Sequence, residues 1–135
     1  MTVGRSLAAA GVALLGLLAV VAYTVASGPT TVQVVIERSA FAPTRIHVPA
    51  GRPVVFELVN RDFIDHEWIV ATDEVHAAHR TGTEPHHASR PTEVTVPAFE
   101  TRTTTVTFAE RGELRFVCHL PGHEAYGMAG VVIVE

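Results

Sequence analysis

From Thr31 onward the apolar residues recur at every second position, in short runs separated by turn residues. Thr31 to Arg38 alternates around Val32, Val34 and Ile36, and Ile46 and Val48 flank His47. Val54, Phe56 and Leu58 follow Pro53, and Trp68 and Val70 follow His66. Val94 with Val96, then the runs 103–108, 114–118 and 131–134, complete the set. Successive side chains on a strand point to opposite faces, so this period places one face of each run in a core. Pro49-Ala50-Gly51, Pro97-Ala98 and Arg111-Gly112 punctuate the runs. Seven or eight short strands with regular turns predict an all-β antiparallel sandwich or barrel.

Two stretches break the period. Residues 7–26 are apolar or small except for Tyr23 and Thr24, and no charge intervenes between Arg5 and Glu37. As a helix they would span roughly 30 Å, about the hydrocarbon thickness of a bilayer. A cleaved signal has a shorter apolar region, although Ala26, Ser27 and Gly28 permit cleavage. The chain therefore divides into an N-terminal hydrophobic helix over 1–27, anchor or signal, and a domain over 28–135 delivered outside the cytoplasm. The second break, residues 73–91, is polar and rich in histidine. Its first half, Asp73 to Arg80, suits one or two helical turns with Asp73 as N-cap.

The sequence CHLPGHEAYGM, from Cys118 to Met128, directly follows a strand. It spaces Cys118, His123 and Met128 five residues apart, and His66 opens an earlier strand. Two histidines, one cysteine and a methionine form the donor set of a blue-copper electron-transfer centre. The soft thiolate and thioether suit Cu(I), and imidazole suits both oxidation states. Copper outcompetes zinc at such donors, and structural zinc sites rarely use methionine. Cys118 is the sole cysteine, so it makes no intrachain disulfide, and a metal would protect its thiol in an oxidising compartment. His47, between two inward-facing residues, should face solvent and not compete as a ligand.

These residues resemble the cupredoxins of the plastocyanin/azurin family. CHLPGH is similar to the azurin loop, and Gly127-Met128-Ala129-Gly130 to the plastocyanin type. Phe41-Ala42-Pro43, the run 48–51, Phe56, Asn60, Pro97, Phe108, Gly112 and Phe116 agree in order and spacing, so the likeness covers about residues 31–135. The resemblance implies a Greek-key sandwich with one copper ion cycling between Cu(I) and Cu(II). It also implies electron transfer through the exposed edge of His123. Leu120, Pro121, Gly122, Ala125 and Tyr126 would form an apolar rim where redox partner proteins dock.

Two positions depart from the family. Family members often carry Asn after the first ligand histidine, where it ties the two ligand loops together. Here Glu67 and His119 occupy the corresponding places and are expected to form a charge-assisted hydrogen bond. His76 and His79, three apart on a helical turn, together with His86 and His87, could make a weak second copper or zinc site.

The functional expectation is a monomeric electron carrier at an outer membrane face or exported. The alternative is a protein that acquires, stores or delivers copper, which the histidine-rich loop favours. A structural module that borrows the fold is disfavoured by the intact donor set. Catalysis is not expected, because a four-ligand metal keeps no open position for substrate. Ten arginines, no lysine and a net charge of −4 supply no basic stripe for nucleic acid.

Overall fold

The computed structural model describes residues 28–82 and 90–135. The hydrophobic segment 1–27, His86 and His87 lie outside the described residues. No helix among the described residues is long and apolar enough to cross a membrane.

Nine strands form two sheets. β1 (Thr30–Glu37), β2 (Ala40–Ala42), β4 (Pro53–Asn60) and β7 (Thr101–Thr107) make one, in the order β2-β1-β4-β7. β3 (Arg45–Val48), β9 (Ala129–Val134), β8 (Gly112–Val117), β5 (His66–Ala71) and β6 (Glu93–Val96) make the other, in the order β3-β9-β8-β5-β6. β1 runs parallel to β4 and β3 parallel to β9, and the remaining pairs are antiparallel. The chain changes sheet between β2 and β3, β3 and β4, β4 and β5, β6 and β7, and β7 and β8. That crossing pattern gives the two-layer sandwich expected from the alternation.

The period-two residues fill the space between the layers. Val34 and Ile36, Val54, Phe56 and Leu58, Trp68 and Val70, and Val132 and Val134 are all buried. Each large apolar side chain taken fully out of water contributes roughly 2–3 kcal/mol. Phe56 lies 4.8 Å from Trp68 between ring centroids, and Trp68 lies 6.2 Å from Phe116, an aromatic column that ties the layers together. Gly130 stands opposite Phe116 in the β8–β9 ladder. A Cβ there would come within 2.1 Å of the Phe116 ring and 2.6 Å of the Thr44 carbonyl oxygen. Glycine is what lets this ring lie flat on the neighbouring strand.

The strand count exceeds the seven or eight expected by the three-residue β2, which is too short to show a period. The polar break holds one helix, α1 (Asp73–Thr81), capped by Thr72 rather than by Asp73. Thr72 has extended backbone angles, and Asp73 and Glu74 occupy the first turn, where carboxylates complement the helix dipole. Gly82 closes the helix with a left-handed φ of 69°.

The β1–β2 hairpin turns on Arg38 and Ser39, with φ of 55° and 53°. Two-residue hairpin loops of this hand normally use Asn or Gly. Here the carboxylate of Asp62 accepts both turn N–H groups, Arg38 N at 2.6 Å and Ser39 N at 2.7 Å, which offsets the strain.

Candidate metal centre

The donor-rich residues meet at one end of the sandwich. His66 begins β5 with its ring on the inward face, two residues before buried Trp68. Cys118 follows the last residue of β8, and the loop 118–128 returns the chain to β9. Its neck is closed by the N–H of Cys118 donating to the Met128 carbonyl at 3.2 Å. Within it, His123 N–H donates to Leu120 O, Met128 N–H to His123 O and Gly127 N–H to Glu124 O. Gly122 and Gly127 take φ of 86° and 91°, values that a side chain would resist in so tight a turn.

Cys118 Sγ lies 3.3 Å from His123 Nδ1 and 4.0 Å from His66 Nδ1. Donor atoms of His66, Cys118 and His123 all fall within 4.8 Å of one another, the only such convergence of His, Cys or carboxylate atoms among the described residues. Around an ion with bonds of about 2.0 Å to nitrogen and 2.3 Å to sulfur, neighbouring donors stand roughly 3.5–3.8 Å apart. The observed pair of distances brackets that spacing, so the residues fit a single metal ion. Met128 is fully buried at the loop neck beside them, as are His66 and Cys118. His123 alone of the four is partly exposed.

Burial pushes the Cys118 thiol above its usual range, against the N–H donors of Glu67 and Leu120. The Glu67 N–H lies 3.4 Å from Sγ. Such donors are in place for a sulfur that carries charge once a metal displaces its proton. Burial, then the neighbouring His66, holds His123 below the ordinary imidazole range, so it presents a neutral lone pair near neutral pH.

Asp62 is a site residue that the sequence reading missed. Its Oδ2 lies 2.9 Å from His66 Nε2, with the His66 side chain 0% and the Asp62 side chain 12% exposed. Burial alone would raise the Asp62 carboxyl, but the N–H groups of Ser39 and Arg38 and the His66 ring together lower it. The signal available in sequence was an acid four residues before His66, too common a pattern to single out.

The expected Glu67–His119 hydrogen bond is corrected. His119 turns to α1, its Nε2 2.9 Å from His76 Nδ1 and its ring stacked on His79 at 5.1 Å. Its other nitrogen faces Glu124 Oε2 at 3.7 Å. His76 Nε2 points at the Arg115 carbonyl at 3.2 Å, which can only accept. Nε2 of His76 therefore carries its proton, and His119 donates to His76 Nδ1. Burial, then the neighbouring His76, pushes His119 down to about 4, and burial lowers His76 as well.

Of the four histidines expected to make a second metal site, His86 and His87 lie outside the described residues, and His76 and His79 are placed on α1. Both nitrogens of His76 are engaged, and Nδ1 of His79 donates to the Val75 carbonyl at 2.9 Å. Both rings pack against His119 and so secure α1 to the ligand loop. His47 is exposed beside Glu135, 3.4 Å away, as its position between inward residues predicts.

The rim at Pro121, Gly122, Ala125 and Tyr126 is exposed, with Tyr126 at 87%. Phe63 and Phe99 also stand exposed at this end, where the Phe99 N–H donates to the Asp62 carbonyl.

A two-sheet sandwich with a His-Cys-His cluster, two of its members buried, at the mouth of a β8–β9 loop defines a cupredoxin. Residues 30–135 match the family of copper binding proteins, plastocyanin/azurin family, and the chain belongs to it, with one copper ion as its cofactor. The chain is 33% identical over 115 residues to the copper-resistant cuproprotein CopI of Rubrivivax gelatinosus, covering 82% of this chain and 69% of that protein. Among solved structures it is similar to auracyanin A, a blue copper protein of Chloroflexus aurantiacus. That match has a TM-score of 0.63 and 26% identity, covering 80% of this chain and 100% of the other. Auracyanin B gives a TM-score of 0.65 and 26% identity, covering 78% and 88%.

Proposed function

We propose that His66, Cys118, His123 and Met128 hold the copper ion and that the protein is a one-electron carrier outside the cytoplasm. The observation that carries this reading is the unequal burial of the four residues. Three are sealed in the core, and His123 alone reaches the surface amid an apolar rim. Copper in such a donor set supplies a reversible one-electron couple. The chain's own residues hold that set still. The rigid β5 end fixes His66, the loop neck fixes Cys118 and Met128, and the α1 contacts brace the loop. Sites kept in one geometry by packed supports change little between oxidation states. Redox partner proteins would dock briefly over His123, a small apolar contact suited to fast release. Residues 7–26 would hold the domain at the outer face of a membrane.

A second reading, copper acquisition or delivery, is favoured by the likeness to the copper-resistant cuproprotein of Rubrivivax gelatinosus. Two rates on the copper-loaded protein separate the readings. A carrier exchanges electrons between its oxidised and reduced forms much faster than it surrenders copper to a chelator. Ready loss of copper with slow electron exchange would refute the carrier reading and support delivery.

A further inference from the structure

We propose that Asp62 is a positioning residue that acts through His66 to favour the oxidised state of the bound copper. The proposal rests on the reading of His66 as a copper ligand.

A carboxylate only accepts, so the 2.9 Å contact between Asp62 Oδ2 and His66 Nε2 places the ring proton on Nε2. That leaves Nδ1 as the lone-pair nitrogen, and Nδ1 is the atom turned toward Cys118 Sγ. Asp62 thus selects the one neutral tautomer that can bind a metal at this cluster.

The carboxylate cannot swing away. Oδ1 accepts the Arg38 N–H and Oδ2 the Ser39 N–H, both from the strained β1–β2 turn. The Asp62 N–H donates to Asn60 Oδ1 at 2.9 Å. Asn60 in turn is held by its Nδ2 to the carbonyls of Ile64, Val96 and Pro97. Both sheets therefore contribute to fixing one anionic group behind one ligand ring. Among the described residues, no arginine side chain bonds Asp62, so its charge is not spent on a guanidinium.

A fixed negative charge on the remote N–H makes the imidazole a stronger donor at its other nitrogen. The doubly charged ion gains more from that than the singly charged one. A backbone carbonyl at the same place would offer a dipole and no net charge.

The test uses the full chain loaded with copper. The wild type must first show the blue thiolate-to-copper band, and failure there defeats the ligand reading itself. Given that band, Asp62→Asn should keep it while losing about tenfold to a hundredfold in Cu(II) affinity. Cu(I) affinity should fall less, raising the reduction potential by about 59 mV for each tenfold of difference. Equal losses for both ions, or no loss for either, would reduce Asp62 to a turn-holding residue and overturn the proposal. Ser39→Gly relaxes the same turn and keeps the carboxylate, so its potential should match the wild type; a shift as large as that of Asp62→Asn would also overturn it. Should Asp62→Asn fail to fold, proton magnetic resonance of the wild-type Cu(I) form decides. A far-downfield, slowly exchanging His66 Nε2 proton is expected, and a fast-exchanging one contradicts the proposal.

Discussion

Arg80 on α1 grips the carboxylate of Glu124, the residue after His123, with Nε at 2.8 Å and Nη2 at 2.7 Å. Arg115 of β8 reaches the same carboxylate at 3.3 Å. The Arg80 hydrogen bond is the main reason Glu124 is lowered to about 2. The paired fork geometry gives this contact direction as well as charge. Through it, a helix in the histidine-rich break is tied to the loop that carries Cys118, His123 and Met128.

Cutting that tie should loosen the loop more than the domain. Arg80→Ala is expected to cost about 0.5–1 kcal/mol in urea unfolding, the range for a partly exposed pair. Amide exchange in residues 120–127 should quicken while that of β4 and β8 changes little. Uniform quickening across the sandwich would contradict the assignment.

Gly130→Ala should be far more damaging than a surface change of the same size. Its Cβ has no room against the Phe116 ring and the Thr44 carbonyl. The cost expected is about 2–3 kcal/mol, from overpacking and a displaced ring. Thermal unfolding of the metal-free protein measures it, and partial recovery in Gly130→Ala/Phe116→Leu would assign the ring's share of the clash, the Thr44 carbonyl contact remaining.

The buried histidine pair makes the metal-free protein acid-sensitive in a defined window. His119 titrates at about 4 when folded, against 6.5 as its ordinary value. Between those values the unfolded chain binds the proton and the folded chain does not, so stability rises with pH and falls on acidification. The loss expected from pH 7 to 4.5 is on the order of 2 kcal/mol. Glu124 acts in the same direction in a lower window: its contribution is present above about 4.5 and is lost as pH falls toward 2. Unfolding curves of His119→Gln should therefore be flatter than wild type between pH 4.5 and 6.5, and parallel curves would contradict the pair's role.

Sequence pattern carried most of this fold because strands buried on one face must alternate, and they do so from Val32 to Val134. It carried the copper cluster because Cys118, His123 and Met128 share one short loop. Asp62 escaped notice because its partners, the Arg38 and Ser39 N–H groups, are backbone atoms from a distant hairpin. His119 was assigned to Glu67 by family analogy, whereas α1 brings His76 and His79 across to take it. A contact of that kind depends on where an insertion folds back, which local periodicity does not encode. The same placement makes His76 and His79 struts between α1 and the ligand loop.

Cys118→Ser separates the thiolate from the rest of the donor set. It should abolish the blue band and leave a pale complex of much lower copper affinity, while the metal-free fold survives the loss of one buried sulfur. Titration followed by visible absorption checks the band and the affinity, and circular dichroism of the metal-free protein checks the fold.

The most direct test of the account is the spectrum of the wild-type protein after one equivalent of Cu(II). An intense visible thiolate-to-copper band with a narrow electron-spin-resonance hyperfine splitting is predicted, because Cys118, His66 and His123 converge on one buried point. A pale spectrum with ordinary tetragonal copper would place the ion on histidines away from Cys118 and contradict the site described here.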